Sequence, residues 1–288
     1  MTAPLVRYKT LRGYGLLFVV ATPIGNLKDI TLRALETLRE CDAIAAEDTR
    51  HTKKLLSAHG IEGKPLLALH AHSTERDVAR VTERLAAGEK VALVTDAGTP
   101  GVSDPGDALV RAAIAARVRV VPIPGASAVL AALSASGLGG GGAFRFFGFL
   151  PRDGTARARA IATIVNTPEP AIVFESPERA QRTLVELCEV MPTRWACVAR
   201  ELTKLHEELA RGTIADLAFS RDEWRGEIVI VLGAQEVPET AVDDQAVDKR
   251  IDEELERGAG AKKTAEIIAA WSGRPKREIY ERVVRRKK

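Results

Sequence analysis

Residues 91–106, VALVTDAGTPGVSDPG, form the stretch around which the rest of the chain is organised. Its first four residues are apolar and predict a short buried parallel strand. The crowded glycines and prolines that follow favour neither strand nor helix, so the backbone must turn sharply. In an open α/β sheet, the loop after a central strand is where ligands bind. The carboxylates of Asp96 and Asp104 suit a ribose hydroxyl or an amino group, unless they only cap the turn.

Strands and helices alternate on both sides of this stretch. Besides residues 91–94, the predicted strands are residues 16–21, 43–46, 65–69 and 118–123. Because a helix is predicted after each of them, the pattern indicates a parallel sheet with helices on both faces, in an α/β domain over residues 16–137. Five glycines within residues 137–142 mark a flexible connection. A second α/β domain is predicted over residues 138–236, with strand directions left open.

Length and composition indicate a globular protein of two compact units plus an appendage. The chain has 288 residues, of which 45% are hydrophobic. No apolar run is long enough to span a bilayer, so no membrane partner is predicted. Residues 1–15 lack the apolar segment of a signal peptide and are interpreted as a disordered extension of a cytoplasmic protein. Cys41, Cys188 and Cys197 form no CxxC pair and indicate neither a disulfide framework nor a zinc site.

Charge is distributed unevenly near the C-terminal end. Residues 238–256 carry eight acidic and two basic side chains, whereas residues 257–288 carry eleven basic and three acidic ones. We predict an acidic linker over residues 237–247 and a basic helical unit over residues 248–288, whose three short helices resemble a helix-turn-helix. Its positive charge suits binding to a phosphate backbone, and the alternative is a solubilising tail.

Polar or small-residue clusters follow nearly every predicted strand. Because the carboxyl ends of parallel strands meet at one edge, a single cleft is expected there. The chain lacks a GxGxxG fingerprint after its first strand and a Walker-type lysine, which argues against nicotinamide binding and nucleoside triphosphate hydrolysis. His70 and His72 alternate along a strand, but no third ligand with fixed spacing is visible, and no metal is predicted. The clusters are TPIGN, EDTRH, HAHS, DAGTP, PGAS, FES and LTK.

Several longer motifs, in this order and spacing, resemble the tetrapyrrole-methylase superfamily of S-adenosylmethionine-dependent methyltransferases. They are ATPIGNLKDIT, AEDTRHTKKLL, LHAHS, VTDAGTPGVSDPG, VPIPGAS, FGFLP, VFESPER and ARELTK. The match covers residues 16–233 and extends into the C-terminal helices. Within the superfamily, the motifs are most similar to the branch that methylates ribosomal RNA of the small subunit. The sequence departs from the family pattern at two places. The connection between the domains is almost entirely glycine, and Ser73 stands where asparagine is expected.

The resemblance implies a two-domain class III methyltransferase fold and a homodimer. It further implies methyl transfer to the ribose 2′-hydroxyl of a cytidine in the decoding region of 16S rRNA, within the small ribosomal subunit. Position in the resemblance assigns ten residues to the cofactor S-adenosylmethionine: Pro23, Asp96, Gly98, Pro100, Ser103, Asp104, Ala126, Ser127, Phe174 and Ile228. The residues expected to face RNA are Arg50, His70, His72 and Glu175, together with Lys262 and Lys263 of the basic unit.

A ribose hydroxyl is a weak acid and needs a group that accepts its proton. Glu47 or Asp48 is the first choice for this base and His51 the second. Lys204 would also serve if burial beside Arg50 lowered its pKa. The alternative for Glu47 and Arg50 is an internal ion pair that holds their loop.

Two other functions fit parts of the pattern. The same cofactor could methylate a tetrapyrrole carbon, although the basic C-terminal unit and the EDTRH cluster favour RNA. A non-enzymatic RNA-binding regulator could instead hold a nucleotide in the cleft as a signal. Incorporation of labelled methyl groups into small ribosomal subunits that lack the modification separates the three hypotheses, because only the rRNA methyltransferase hypothesis predicts labelled ribose.

Overall fold

A computed structural model describes residues 15–70, 72–104, 106–235, 243–272 and 274–286. The chain divides into two compact units, residues 1–234 and residues 235–288. Nearly all of the predicted N-terminal extension lies outside the described residues, as do residues 237–242 of the predicted acidic linker. Within the described ranges, no helix combines the length and apolar character needed to cross a membrane.

The first sheet contains five parallel strands in the order β3-β2-β4-β1-β5. The central strand β4 contains residues 91–94 of the VALVTDAGTPGVSDPG stretch, and β1 and β2 pair with its two edges. The predicted α/β fold is therefore confirmed. The strands are β1 Leu16–Val20, β2 Ala43–Ala46, β3 Leu66–Ala68, β4 Lys90–Val94 and β5 Arg119–Ile123.

Helices cover both faces of this sheet because side chains alternate along each buried strand. Phe18 and Val20 face a core shared with α1 and α2, while Leu17 faces a core shared with α3 and α4. The helices α2 and α3 therefore lie on opposite faces. The five helices are α1 Leu32–Glu40, α2 Thr49–Ala58, α3 Glu75–Ala86, α4 Gly106–Ala115 and α5 Ala128–Ser136, and a short 3-10 helix covers Leu27–Asp29.

The second sheet is mixed, in the order β6-β7-β10-β8-β9. Only β6 and β7 are parallel, and the other pairs are antiparallel. Its strands are β6 Arg145–Phe149, β7 Ala171–Glu175, β8 Trp195–Arg200, β9 Glu208–Thr213 and β10 Ile228–Leu232. The sequence did not indicate β9, because this edge strand is polar and only partly buried.

Helices also pack on both faces of the second sheet. On one face, α6 and α7 contribute Ile164, Leu184 and Leu187 to a buried core. On the other face, Val129 and Ala132 of α5 pack against the sheet, so both sheets belong to one compact unit. The helices are α6 Gly154–Val165, α7 Pro177–Val190 and α8 Ile214–Ala218.

The C-terminal unit contains three helices, α9 Asp244–Glu256, α10 Ala261–Ser272 and α11 Lys276–Arg286. Their small shared core includes Ile251, Ile268 and Val283, all fully buried. Helix α9 begins four residues earlier than predicted, because Asp243 caps it by accepting a hydrogen bond from the Gln245 N–H. The predicted turns near Gly258 and Arg274 separate the three helices.

Candidate active site

A cavity of about 590 Å³ opens where the loops of the two sheets meet. The first sheet contributes Glu47 after β2 and the loop after β4, while the second contributes Phe149, Phe174 and the start of β10. This volume is typical of a small-molecule site. The cavity lies at the carboxyl ends of the parallel strands, as the clustered motifs predict.

The cavity wall is mainly apolar, and all of its ionisable side chains are acidic. The apolar part includes Ile24, Val102, Phe149, Phe174 and Ile228. No described residue that lines the cavity is Lys, Arg or His. A wall of this charge raises the local concentration of a cation and repels an anion. The acidic lining residues are Glu47, Asp96, Asp104, Glu175, Glu201 and Glu227.

Asp104 organises the loop after β4. Its carboxylate accepts hydrogen bonds from the backbone N–H groups of Gly101 (2.9 Å), Val102 (3.2 Å) and Gly106 (2.8 Å). Ser103, between them, has a φ of 65°, a conformation unusual for a residue with a side chain. The carboxylate predicted to accept from a ligand is thus largely occupied by its own loop.

Neighbouring loops are bonded to this one. Thr22 and Gly98 exchange backbone hydrogen bonds of 2.9 and 3.1 Å, and the Thr22 hydroxyl donates to the Thr95 carbonyl. The Thr99 hydroxyl donates to the Ala126 carbonyl at 3.1 Å. The TPIGN, DAGTP and PGAS clusters therefore form one rim, as predicted from their positions after adjacent strands.

Asp96 connects the cavity to helix α2. One carboxylate oxygen accepts from the backbone N–H of Asp48 at 2.9 Å, and the other lies 3.3 Å from Nδ1 of His51. The His51 side chain is 57% exposed and does not line the cavity itself. The Glu47 carboxylate accepts from the Thr95 hydroxyl at 2.6 Å.

Asp48 and Arg50 form a pair at the start of α2. The Arg50 guanidinium donates to the Asp48 carboxylate at 2.6 Å, and the backbone N–H of Arg50 donates to it at 2.8 Å. These bonds lower the pKa of Asp48 well below its ordinary value. The helix therefore begins at Thr49, earlier than the sequence predicts, and Arg50 pairs with Asp48 where Glu47 was the considered partner.

Lys204 is held by two carboxylates. Its Nζ lies 2.9 Å from Glu201 and 3.0 Å from Glu227. Burial lowers the pKa of Lys204, but the hydrogen bonds to both carboxylates outweigh burial, and the net shift is upward. Lys204 was considered as a base only if burial lowered its pKa. That condition is not met, because both partners of its ammonium group are carboxylates. A Cβ at Gly25 would lie 2.6 Å from Lys204 Cγ, so only glycine allows these loops to approach.

Glu175 lies inside the protein although the motif comparison predicted an RNA contact. Its carboxylate is fully buried and pairs with Arg179 at 2.5 Å and with Arg157 at 3.7 Å. Both arginines also donate to backbone carbonyls, of Leu150 and Pro151, just after β6. The network fixes the loop that follows Phe149, so Glu175 shapes the cavity from behind.

The other predicted residues divide by location. Gly98, Ser103, Ser127, Phe174 and Ile228 line the cavity. His70 and His72 are exposed beyond the end of β3. Across the described residues, no group of three or more His, Cys, Asp or Glu side chains is placed to hold a metal ion. Three predicted residues belong to the rim loops but do not line the cavity: Pro23, Pro100 and Ala126. Lys262 and Lys263 are exposed on the C-terminal unit.

The structure adds lining residues that the sequence did not indicate. Glu201 directly follows β8 and Glu227 directly precedes β10. Glu201 had a signal in the ARELTK motif, but no role was predicted for either residue. Phe149 had a signal in the FGFLP motif, but no role was predicted for it. Gly226 has a φ of 81°, and a Cβ there would lie 2.4 Å from the Glu201 carboxylate, so this glycine lets Glu201 sit at the wall.

A family model described as Tetrapyrrole (Corrin/Porphyrin) Methylases matches residues 16–218. The chain belongs to this family. A solved structure of uroporphyrin-III C-methyl transferase from Thermus thermophilus, complexed with S-adenyl homocysteine, has the same fold, with a TM-score of 0.55 and 19% identity. That match covers 76% of this chain and 97% of the other.

Within that class, the chain belongs to the group named ribosomal RNA small subunit methyltransferase I. The protein of this name from Xylella fastidiosa (strain Temecula1) is 44% identical over 273 residues, which are 92% of this chain and 98% of that protein. The one from Bacillus subtilis (strain 168) is 39% identical over 274 residues, or 93% of each chain. The resemblance stated from the motifs is confirmed.

Proposed function

We propose that this protein transfers a methyl group from S-adenosylmethionine to ribosomal RNA of the small subunit, at the ribose 2′-hydroxyl of a cytidine. The observation that carries the cofactor assignment is the apolar cavity with three carboxylates, Glu47, Asp96 and Asp104, that form no ion pair with Lys or Arg among the described residues. S-adenosylmethionine carries a sulfonium and an ammonium group, which such carboxylates attract, besides one carboxylate of its own. When bound, it supplies an electrophilic methyl group.

The protein's own contribution is to orient the ribose hydroxyl and accept its proton. Orientation alone accounts for a large part of the rate in such transfers. His51 is the base that the geometry supports best, because Asp96 holds its Nδ1 and leaves Nε2 for the substrate. Asp48 is less suited, since its bonds to Arg50 lower its pKa. Lys204 is less suited still, since its raised pKa keeps it protonated.

The two other functions have less support. The relatives named as rRNA methyltransferases share 39–44% identity with the chain, whereas the uroporphyrin enzyme shares 19%. A nucleotide signal in the cavity would bring its phosphates against Glu47, Asp96 and Asp104, which have no Lys or Arg partner among the described residues. The homodimer and the cytoplasmic location stay predictions.

Two measurements test this proposal. Calorimetry is expected to detect S-adenosylmethionine binding to the protein alone, and labelled methyl groups are expected in the ribose of small subunits that lack the modification. Uroporphyrinogen incubated in parallel is expected to remain unlabelled. Absence of cofactor binding would remove the proposal, and label on an RNA base or on the macrocycle would replace its substrate.

A further inference from the structure

The exposed side of helix α2 is basic in its N-terminal half. Its core side consists of Thr52, Leu55 and Leu56. Arg50, Lys53 and Lys54 are exposed on the other side, at the i, i+3 and i+4 spacing that places side chains next to one another. Residues 49–61 contain no Asp or Glu. These three cations, hereafter the α2 basic face, form a continuous positive strip.

The charges of this face are available to a partner. Neither Lys53 nor Lys54 forms an ion pair with any residue that the structure describes, and both are exposed. Arg50 contacts Asp48, yet its side chain is 85% exposed. A phosphate could therefore approach all three without first breaking a buried contact.

The α2 basic face begins at the candidate active site. Asp48, which caps α2, donates its N–H to Asp96 on the cavity wall, and His51 in the first turn lies beside the same carboxylate. These contacts fix the helix, and with it the proposed base His51, relative to the cavity wall. Because the cavity itself is acidic and would repel phosphates, an RNA backbone needs a positive surface directly beside it.

The C-terminal unit offers less free charge than its sequence suggests. Residues 243–286 contain eleven basic and ten acidic residues. The acidic helix α9 pairs with the basic helix α11, where Arg282 contacts Asp244 at 2.7 Å and Arg286 contacts Asp248 at 3.0 Å. Lys276 pairs with Glu266. Part of the basic character of the unit is therefore neutralised within it, whereas Lys262 and Lys263, the two residues predicted to bind RNA, are exposed and form no ion pair with any residue that the structure describes.

We infer that the α2 basic face binds the phosphate backbone of the RNA substrate and sets the target ribose beside His51. The inference rests on the proposed function and adds the surface that holds the substrate. Each phosphate contact releases condensed counterions, so the face adds affinity that depends on salt. Its place beside the site means that affinity and positioning come from one helix.

The test is the double variant Lys53→Gln/Lys54→Gln in the full-length protein. Glutamine has a helix propensity similar to that of lysine, so α2 is retained. Binding to unmodified small subunits is measured with S-adenosylhomocysteine present, at constant Mg²⁺ and varied KCl. We expect the slope of log affinity against log salt to become shallower by about 1.4 for two lost contacts, which corresponds to about 25-fold weaker binding at 0.1 M salt.

Three comparison proteins make the result specific. Lys53→Arg/Lys54→Arg keeps the charge and is expected to keep the slope. Arg76→Gln/Arg80→Gln removes two exposed charges with i, i+4 spacing from α3, on the opposite face of the sheet, and is expected to change nothing. Lys262→Gln/Lys263→Gln tests the rival surface on the C-terminal unit.

Each outcome bears on the inference. A wild-type slope in the α2 glutamine variant would overturn it, as would an equal loss in the α3 variant or a loss confined to the Lys262/Lys263 variant. Cofactor affinity, measured by calorimetry, is expected to be the same in all variants. If the wild-type protein itself binds the cofactor but no small subunit, the proposed substrate fails and the inference fails with it.

Discussion

The candidate bases differ in what already contacts them. Glu47 accepts a 2.6 Å hydrogen bond from Thr95, and Asp48 is bonded by Arg50. His51 alone has one ring nitrogen held by a carboxylate while the side chain stays exposed. A neutral imidazole oriented in this way is a common proton acceptor in enzymes. At the residue scale, we therefore propose His51 as the base, whereas the sequence suggested Glu47 or Asp48 first.

Replacing His51 by asparagine tests this order. We expect kcat to fall by about 10²- to 10⁴-fold, the usual contribution of a general base, with cofactor affinity unchanged. Stopped assays with unmodified small subunits measure kcat, and calorimetry measures cofactor affinity.

Two variants serve as controls for that experiment. Asp48→Asn keeps a side chain that can cap α2 and is expected to lose much less activity. His206→Asn changes an exposed histidine outside the cavity lining and should behave as wild type. If Asp48→Asn abolishes turnover while His51→Asn retains it, the assignment of His51 is wrong.

At the scale of elements, a buried ion network joins β7, α6 and α7 behind the cavity. Glu175 is fully buried at the end of β7, and Arg157 of α6 is 2% exposed. Thr183 of α7 donates to Glu175 at 2.7 Å, and Arg157 also contacts Glu186 at 2.8 Å. Such a network holds three elements in one arrangement only if every member is present.

Glu175→Ala should therefore destabilise the protein strongly. Removing Glu175 takes away the charge partner of Arg179 and one of the two carboxylates that pair with the buried Arg157. Because Glu186 still pairs with Arg157, the expected loss is about 3 kcal/mol in the free energy of unfolding, the lower end of the range for breaking a buried ion pair. Chemical denaturation followed by circular dichroism measures this loss. Arg182→Ala, which removes an ion pair on the exposed side of α7, is the matched control and should cost under about 1 kcal/mol. Equal losses would contradict the proposed role of burial.

At the scale of the whole molecule, paired carboxylates connect the loops of the second sheet. The pKa of Glu201 is lowered, mainly by the hydrogen bond that it accepts from Lys204. The pKa of Glu208 is lowered, mainly by the hydrogen bond that it accepts from Arg221. Glu186 is also lowered, since its bonds to Arg157 and Arg182 outweigh the opposing effect of burial. These carboxylates are more easily ionised in the folded protein than in the unfolded chain. Folding and ionisation are therefore linked.

The sign of this linkage predicts acid sensitivity. A carboxylate whose pKa is depressed on folding stabilises the protein above its unfolded value, here 4.5, and this stabilisation is lost as pH falls through the folded value. We expect the urea midpoint to be nearly constant from neutrality down to pH 5 (roughly the upper edge of carboxyl titration) and to fall below it. Glu208→Gln should reduce that fall. A midpoint independent of pH in acid would contradict the prediction.

The sequence by itself determined the first sheet and the edge where ligands bind, because apolar strands, capped helices and glycine-rich turns are local signals. The resemblance of its motifs assigned Asp96, Gly98, Ser103, Ser127, Phe174 and Ile228 to the cofactor, and all of them line the cavity. Only the tertiary structure decided that Glu175 is buried, that Lys204 is paired, and that Glu201 and Glu227 reach the wall. Burial and charge pairing depend on residues distant in the chain, so no local pattern encodes them.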